Sequence, residues 1–157
     1  MRDIILFTKE QLPTEKSIQI LTDHLKNGKR NGENGFMIEK PSSLFLEFQN
    51  EPISGAPDFD FSDEEKKKIC AFFDTNDCFI HHIEYHRSLD VRRALEALLS
   101  FVPAIYLFVD EEGENGGYCT AEEYLNKNLN TEIQTLKEVK TKGIFLLIKS
   151  STKRAVS

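Results

Sequence analysis

The chain has no tryptophan and only three cysteines among its 157 residues. Twelve Phe therefore join Leu and Ile as the bulky core formers. Cys70, Cys78 and Cys119 are odd in number and lack C-x-x-C spacing. That excludes a disulfide framework and a thiolate zinc knuckle, and the three read as small buried hydrophobes in a reducing cytoplasm. Long apolar runs are missing as well. The longest, Phe101 to Val109, has nine residues and contains Pro103, against the roughly 20 that span a bilayer. The start, MRDIILFTKE, holds four consecutive apolar residues, too few for a signal-peptide core. A basic stripe is absent too. Net charge is −6, and bases fall only in short clusters, the longest Lys66-Lys67-Lys68 and, near the end, Lys153-Arg154. The first reads as a solvated helix face and the second as a frayed end, which argues against a nucleic-acid binder. No glycine-rich phosphate loop and no G-x-S-x-G elbow occurs.

What is present is a globular composition, 39% apolar and 29% charged. A chain of this length suits one domain that buries about two-thirds of its unfolded surface. Strands are expected at Arg2–Thr8, Phe36–Glu39, Leu44–Gln49, Cys78–Arg87, Ala104–Val109 and Ile144–Ile148, from apolar runs or alternation. Helices are expected after Pro13, from the Ser62/Glu65 capping box to about Asp74, through SLDVRRALEALLSFV, after the Thr120/Glu123 box, and over Thr131–Lys140. KNGKRNGENG, Lys26 to Gly35, reads as an exposed loop, and Asn50–Phe61 as a longer one. The resulting fold class is α+β: a single mixed or antiparallel sheet with helices packed on it. It begins with a ferredoxin-like βαββαβ order and continues with alternating helix and strand. One domain over 1–149 and a flexible tail over 150–157 follow.

The stretch FIHHIEYHRS concentrates three of the four histidines. On a strand, Phe79, His81, Ile83 and Tyr85 share one face, and Ile80, His82, Glu84 and His86 the other. The second face carries H-x-E-x-H. Neighbours at i and i+2 lie about 6–7 Å apart and can share an ion, whereas i and i+4 are ~13 Å apart and cannot. His82, Glu84 and His86 are thus candidate ligands for zinc or iron, with at most two adjacent members used together. The remaining ligands must come from elsewhere: the DEEGE carboxylates, His24 or a cysteine. The plainer reading is a solvent-facing strand surface, with His81 half-buried on one hydrogen-bonded nitrogen.

Acidic residues cluster. Glu47–Glu65 holds seven carboxylates and Val102–Asn126 six, with no Lys or Arg in either. Within them, Asp58, Phe59, Asp60 and Phe61, then Asp110, Glu111, Glu112, Glu114 and Tyr118, set aromatic rings beside carboxylates. That combination suits recognition of a basic protein surface. In general character the whole chain is similar to small acidic bacterial immunity and antitoxin-type proteins. The resemblance implies a non-catalytic cytoplasmic module. The charge and aromatic pattern adds the expectation that it binds a basic partner through these residues, needs no cofactor, and touches neither nucleic acid nor membrane. Two alternatives stand beside it: a small metal-dependent enzyme built on the His82/Glu84/His86 strand, and a structural subunit of a larger assembly.

Overall fold

The computed structural model describes residues 1–39, 43–55, 61–111 and 116–127. Met1–Ala121 form one compact unit and Glu122–Ser157 a second. The helix expected over 131–140, the strand over 144–148 and the tail over 150–157 lie outside the described residues. The helix expected after Thr120 is present at 121–127. No described helix is long and apolar enough to cross a membrane.

The first unit contains β1 (Arg2–Thr8), α1 (Thr14–His24), β2 (Gly28–Asn31), β3 (Gly35–Ile38), β4 (Leu44–Pro52), a 3-10 turn (Ile53–Gly55), α2 (Asp63–Phe72), β5 (Phe79–Tyr85), α3 (Ser88–Leu99), β6 (Ile105–Asp110) and β7 (Gly117–Thr120). The strands make one seven-stranded sheet in the order β2-β3-β4-β5-β1-β6-β7. Every described pairing is antiparallel.

Two strands occur where loops were expected. KNGKRNGENG is the β2–β3 hairpin, not an open loop: Asn31 pairs with Gly35 across a turn in which Gly32 takes φ +73°. Asn-Gly between two extended segments is a hairpin signal as well as a loop signal. A Cβ on Gly35 would sit 2.4 Å from the Asn31 carbonyl oxygen, so the turn closes only around glycine. Gly117–Thr120 is β7, a four-residue edge strand hidden by its glycine-rich approach. The extra hairpin strand turns the expected βαββαβ opening into βαβββαβ. β4 also runs past Gln49 to Pro52, through a bulge in which Asn50 takes φ +53°.

The registers sort side chains onto two faces. On one face Ile4, Leu6, Thr8, Leu44, Leu46, His81, Ile83, Leu107 and Val109 are buried. α1 and α3 cover this face with Ile18 and Leu21, and with Val91, Ala94, Leu95 and Leu98. The Arg30–Glu15 ion pair ties β2 to α1 on the same side. On the other face, α2 sets Ile69, Cys70 and Phe73 onto Phe7, Ile80 and Tyr106. The expected capping box opens α2. Ser62 Oγ accepts from the Glu65 N–H at 3.1 Å, and Glu65 Oε1 accepts from the Ser62 N–H at 3.1 Å. Tyr118 on β7 donates its hydroxyl to Glu65 Oε2 at 2.5 Å, which holds the Glu65 carboxyl below its usual range and pins the first turn of α2 to the sheet edge.

His81 is fully buried, deeper than expected. Thr8 Oγ1 donates to the Glu10 carbonyl at 2.7 Å, so the proton in its 3.0 Å bond with His81 comes from Nε2–H. Nδ1 is then a bare acceptor, and it has no partner among the described residues. Burial pushes the imidazole down to about 3. The folded state therefore refuses a proton that the unfolded state takes below 6.5. This contribution is complete above 6.5 and is lost as pH falls toward the folded value. Urea titrations should show stability falling as pH drops from about 6.5 toward 5, above the carboxylate range, with a slope that steepens toward about 1.4 kcal/mol per pH unit. The component should vanish in His81→Leu, and equal slopes in the two proteins would contradict the neutral assignment.

Candidate metal centre

α2 covers only part of its face. Three cross-strand rows can be read there from the registers. Ile80, Phe7 and Tyr106 form the row beneath the helix. The next row runs Glu47, His82, Ile5, Phe108 and Tyr118, apolar on the β6–β7 side and polar on the β4–β5 side. The third runs Phe45, Glu84, Asp3 and Asp110. The polar side chains therefore collect where α2 stops.

Asp3 is on β1, and His82 and Glu84 are on β5. Asp3 lies directly opposite Glu84, and His82 is one same-face step along the strand. One ligand atom from each of the three lies within 4.8 Å of the others. His82 Nε2 is 2.9 Å from Asp3 Oδ1. Donors bonded at about 2.0–2.2 Å to one ion sit roughly 3.4 Å apart in a tetrahedral shell. Small side-chain rotations therefore bring all three onto one ion. The side chains are partly open to solvent, 26% for His82 and 44% for Asp3. An ion here would replace the His82–Asp3 hydrogen bond, since imidazole ligates through a deprotonated nitrogen.

The expected strand faces are observed, and two of the three expected ligands, His82 and Glu84, converge. His86 does not join them. It lies exposed beyond the end of β5, where its N–H donates to the Ser43 carbonyl at 3.1 Å and its own carbonyl accepts from Arg2 at 2.7 Å. Among the suggested outside ligands, His24 bonds the Ile20 carbonyl on α1, over the opposite face. Cys70 and Cys78 are hydrogen-bonded to each other in the core under α2, both thiols pushed up by burial. Asp110, the first DEEGE carboxylate, lies opposite Asp3. Glu111 accepts from Arg2 at 2.6 Å and from the Tyr85 hydroxyl at 3.0 Å. The third member of the cluster, Asp3, was not anticipated. Its parity with Ile5 and Phe7 marks its face, but only the pairing of β1 with β5, residues 79 apart for the Asp3–His82 contact, brings it to His82.

Of the residues expected at a protein-binding surface, Asp58, Phe59, Asp60, Glu112 and Glu114 lie outside the described residues. Phe61 packs partly buried, its ring centroid 5.7 Å from that of Phe7. Tyr118 stacks on Tyr106 at 5.9 Å and carries Lys68 over its ring. Asp110 is exposed at the end of β6.

Comparison with known proteins returns no match to a family model, a curated protein or a solved structure.

Asp3 is flanked by Glu84 on one side and Asp110 on the other, all three in register. Like charges directly opposite one another in a sheet destabilise it, by about 0.2–1 kcal/mol per pair. Without metal, Asp3→Asn should raise the urea midpoint by an amount corresponding to roughly 0.5 kcal/mol. A drop of more than 1 kcal/mol would mean that the His82–Asp3 bond outweighs the repulsion.

Proposed function

We propose that the chain binds one divalent transition-metal ion through Asp3, His82 and Glu84 and uses it as a small metal-dependent enzyme. The observation that carries this reading is the convergence of one imidazole and two carboxylates from adjacent central strands on a polar, open part of the sheet. One nitrogen and two oxygens suit Zn²⁺, Fe²⁺ or Mn²⁺. Three protein ligands leave room for water or substrate, the pattern of catalytic rather than structural sites. When bound, such an ion acidifies a water ligand or polarises a carbonyl. Glu47 lies opposite His82 and is exposed. It is the carboxylate placed to take a proton from a group bound beside the ion.

The acidic docking-surface reading has less support. Its described aromatic anchors, Phe61 and Tyr118, are engaged with the core and α2. A ring already packed internally adds little new buried area to a complex.

Chain purified without chelator and dialysed against Mn²⁺ or Zn²⁺ should hold close to one ion by elemental mass spectrometry. At free metal one hundred times the dissociation constant, it should gain about 2.7 kcal/mol in urea unfolding. His82→Ala and Glu84→Gln should lose both effects, and His86→Ala should keep both. No uptake by the wild-type chain, or equal loss in His86→Ala, would sink this reading.

A further inference from the structure

A cleft of about 450 Å³ adjoins the triad, and His82 and Glu84 form part of its lining. Its other walls come from the β2–β3 turn and from β4: Asn31, Glu33, Asn34, Phe45 and Glu47. Among the described residues, no Lys or Arg lines it. Among the described residues, Glu33, Glu47 and Glu84 have no ion-pair partner. The cations of the neighbouring strand are engaged elsewhere. Arg30 bonds Glu15 and the Gly32 and Glu33 carbonyls, and Lys29 pairs with Glu39 at 3.2 Å.

The charges give the ligand class. A divalent ion would balance Asp3 and Glu84. Glu33 and Glu47 would still face the cleft uncompensated. An anionic substrate such as a phosphate ester would meet carboxylates with no basic side chain to receive it. A primary amine or guanidinium would meet acceptors on several sides: two carboxylates and the carboxamide oxygens of Asn31 and Asn34. Phe45, half-buried on the same face as Glu84, adds an aromatic surface for a cation. We infer that this cleft is the substrate pocket of the proposed metal centre and that it admits small organic cations, amines or guanidinium compounds. The inference rests on the metal reading for the role of the pocket. The charge of the pocket itself does not depend on it.

The test uses the full chain loaded with Mn²⁺, with calorimetric titration of 1,4-diaminobutane and of inorganic phosphate. Diaminobutane should bind and weaken with added salt, and phosphate should bind less tightly. Glu33→Gln/Glu47→Gln should lose about tenfold in diaminobutane affinity while keeping its Mn²⁺. Phe45→Leu should lose about threefold. Glu10→Gln/Glu64→Gln, which removes two exposed carboxylates elsewhere, should match wild type. Tighter phosphate binding, no diamine binding, or equal losses in the two double variants would overturn the inference. Metal uptake without diamine binding strikes this inference alone. Diamine binding with the expected variant pattern, but without metal uptake, strikes the metal reading and with it the pocket's role at a metal centre, and leaves the preference for organic cations standing.

Discussion

The pairing of β1 with β5 is the constraint on which the rest of the molecule depends. β1 lies inside the sheet, between β5 and β6. Its register sets Ile4 and Leu6 beside Ile83 and His81 on one face, and Asp3 beside Glu84 on the other. Side chains alternate with a period of two, so a slip of one residue would carry Ile4 and Leu6 to the open face and drive Asp3 into the core beneath α1 and α3. The apolar residues of β1 thus fix the register, and the register fixes the candidate ligands. The energy that places Asp3 beside His82 comes chiefly from the buried apolar residues of β1, Ile4 and Leu6 on the opposite face and Phe7 farther along its own, and the His82–Asp3 bond adds to it. Strand-borne ligands of this kind are held more rigidly than ligands on loops.

The second constraint is how far α2 reaches. α1 and α3 lie over one face, whereas on the other, among the described residues, the one covering helix is α2, ten residues long, which buries Ile69, Cys70 and, at its C-cap, Phe73 against one row and half of the next. Its position is fixed at both ends. Tyr118 and the capping box hold its first turn, and Phe72 stacks on Tyr106 with ring centroids 4.6 Å apart near its last. The described part of the sheet beyond it therefore remains accessible to solvent and can carry charge. Glu47, His82, Glu84, Asp3 and Asp110 occupy that surface, and the β2–β3 turn rises beside it to make a cleft. A helix one or two turns longer, with apolar residues, would have turned the same rows into core.

Those two constraints also explain what the sequence made legible. Local signals were sufficient for β1, α1, α2 with its capping box, β5 with its two faces, and α3, because each is encoded by contiguous periodicity or by a capping pair. β2 and β7 were not readable as strands. Each is four residues long, carries glycine, and gains its identity from a partner strand. The site divides in the same way. His82 and Glu84 are two residues apart on one strand, so parity alone sets them on one face, and strand geometry alone separates His86 from His82. Asp3 belongs to the site only through a pairing between distant parts of the chain, which no periodicity within either segment encodes. The acidic loops drew attention by composition, but composition does not show that the rings of Phe61 and Tyr118 are used internally.

His81 and His82 show how strongly position overrides residue type. They are consecutive and chemically identical, and they differ only in parity. His81 faces the helices, gives its one proton to Thr8, and is held neutral by burial. His82 faces the open rows, bonds a carboxylate, and stands beside a second. A metal ligand must combine a free lone pair with access for the ion. His81 has the unprotonated nitrogen but no access, and His82 has access and gains its lone pair by giving up the proton shared with Asp3. The three clustered histidines therefore occupy separate environments: one in the core, one in the candidate metal cluster, and one at the exposed end of the strand. The grouping that matters chemically runs across the strands, from Glu84 and His82 to Asp3.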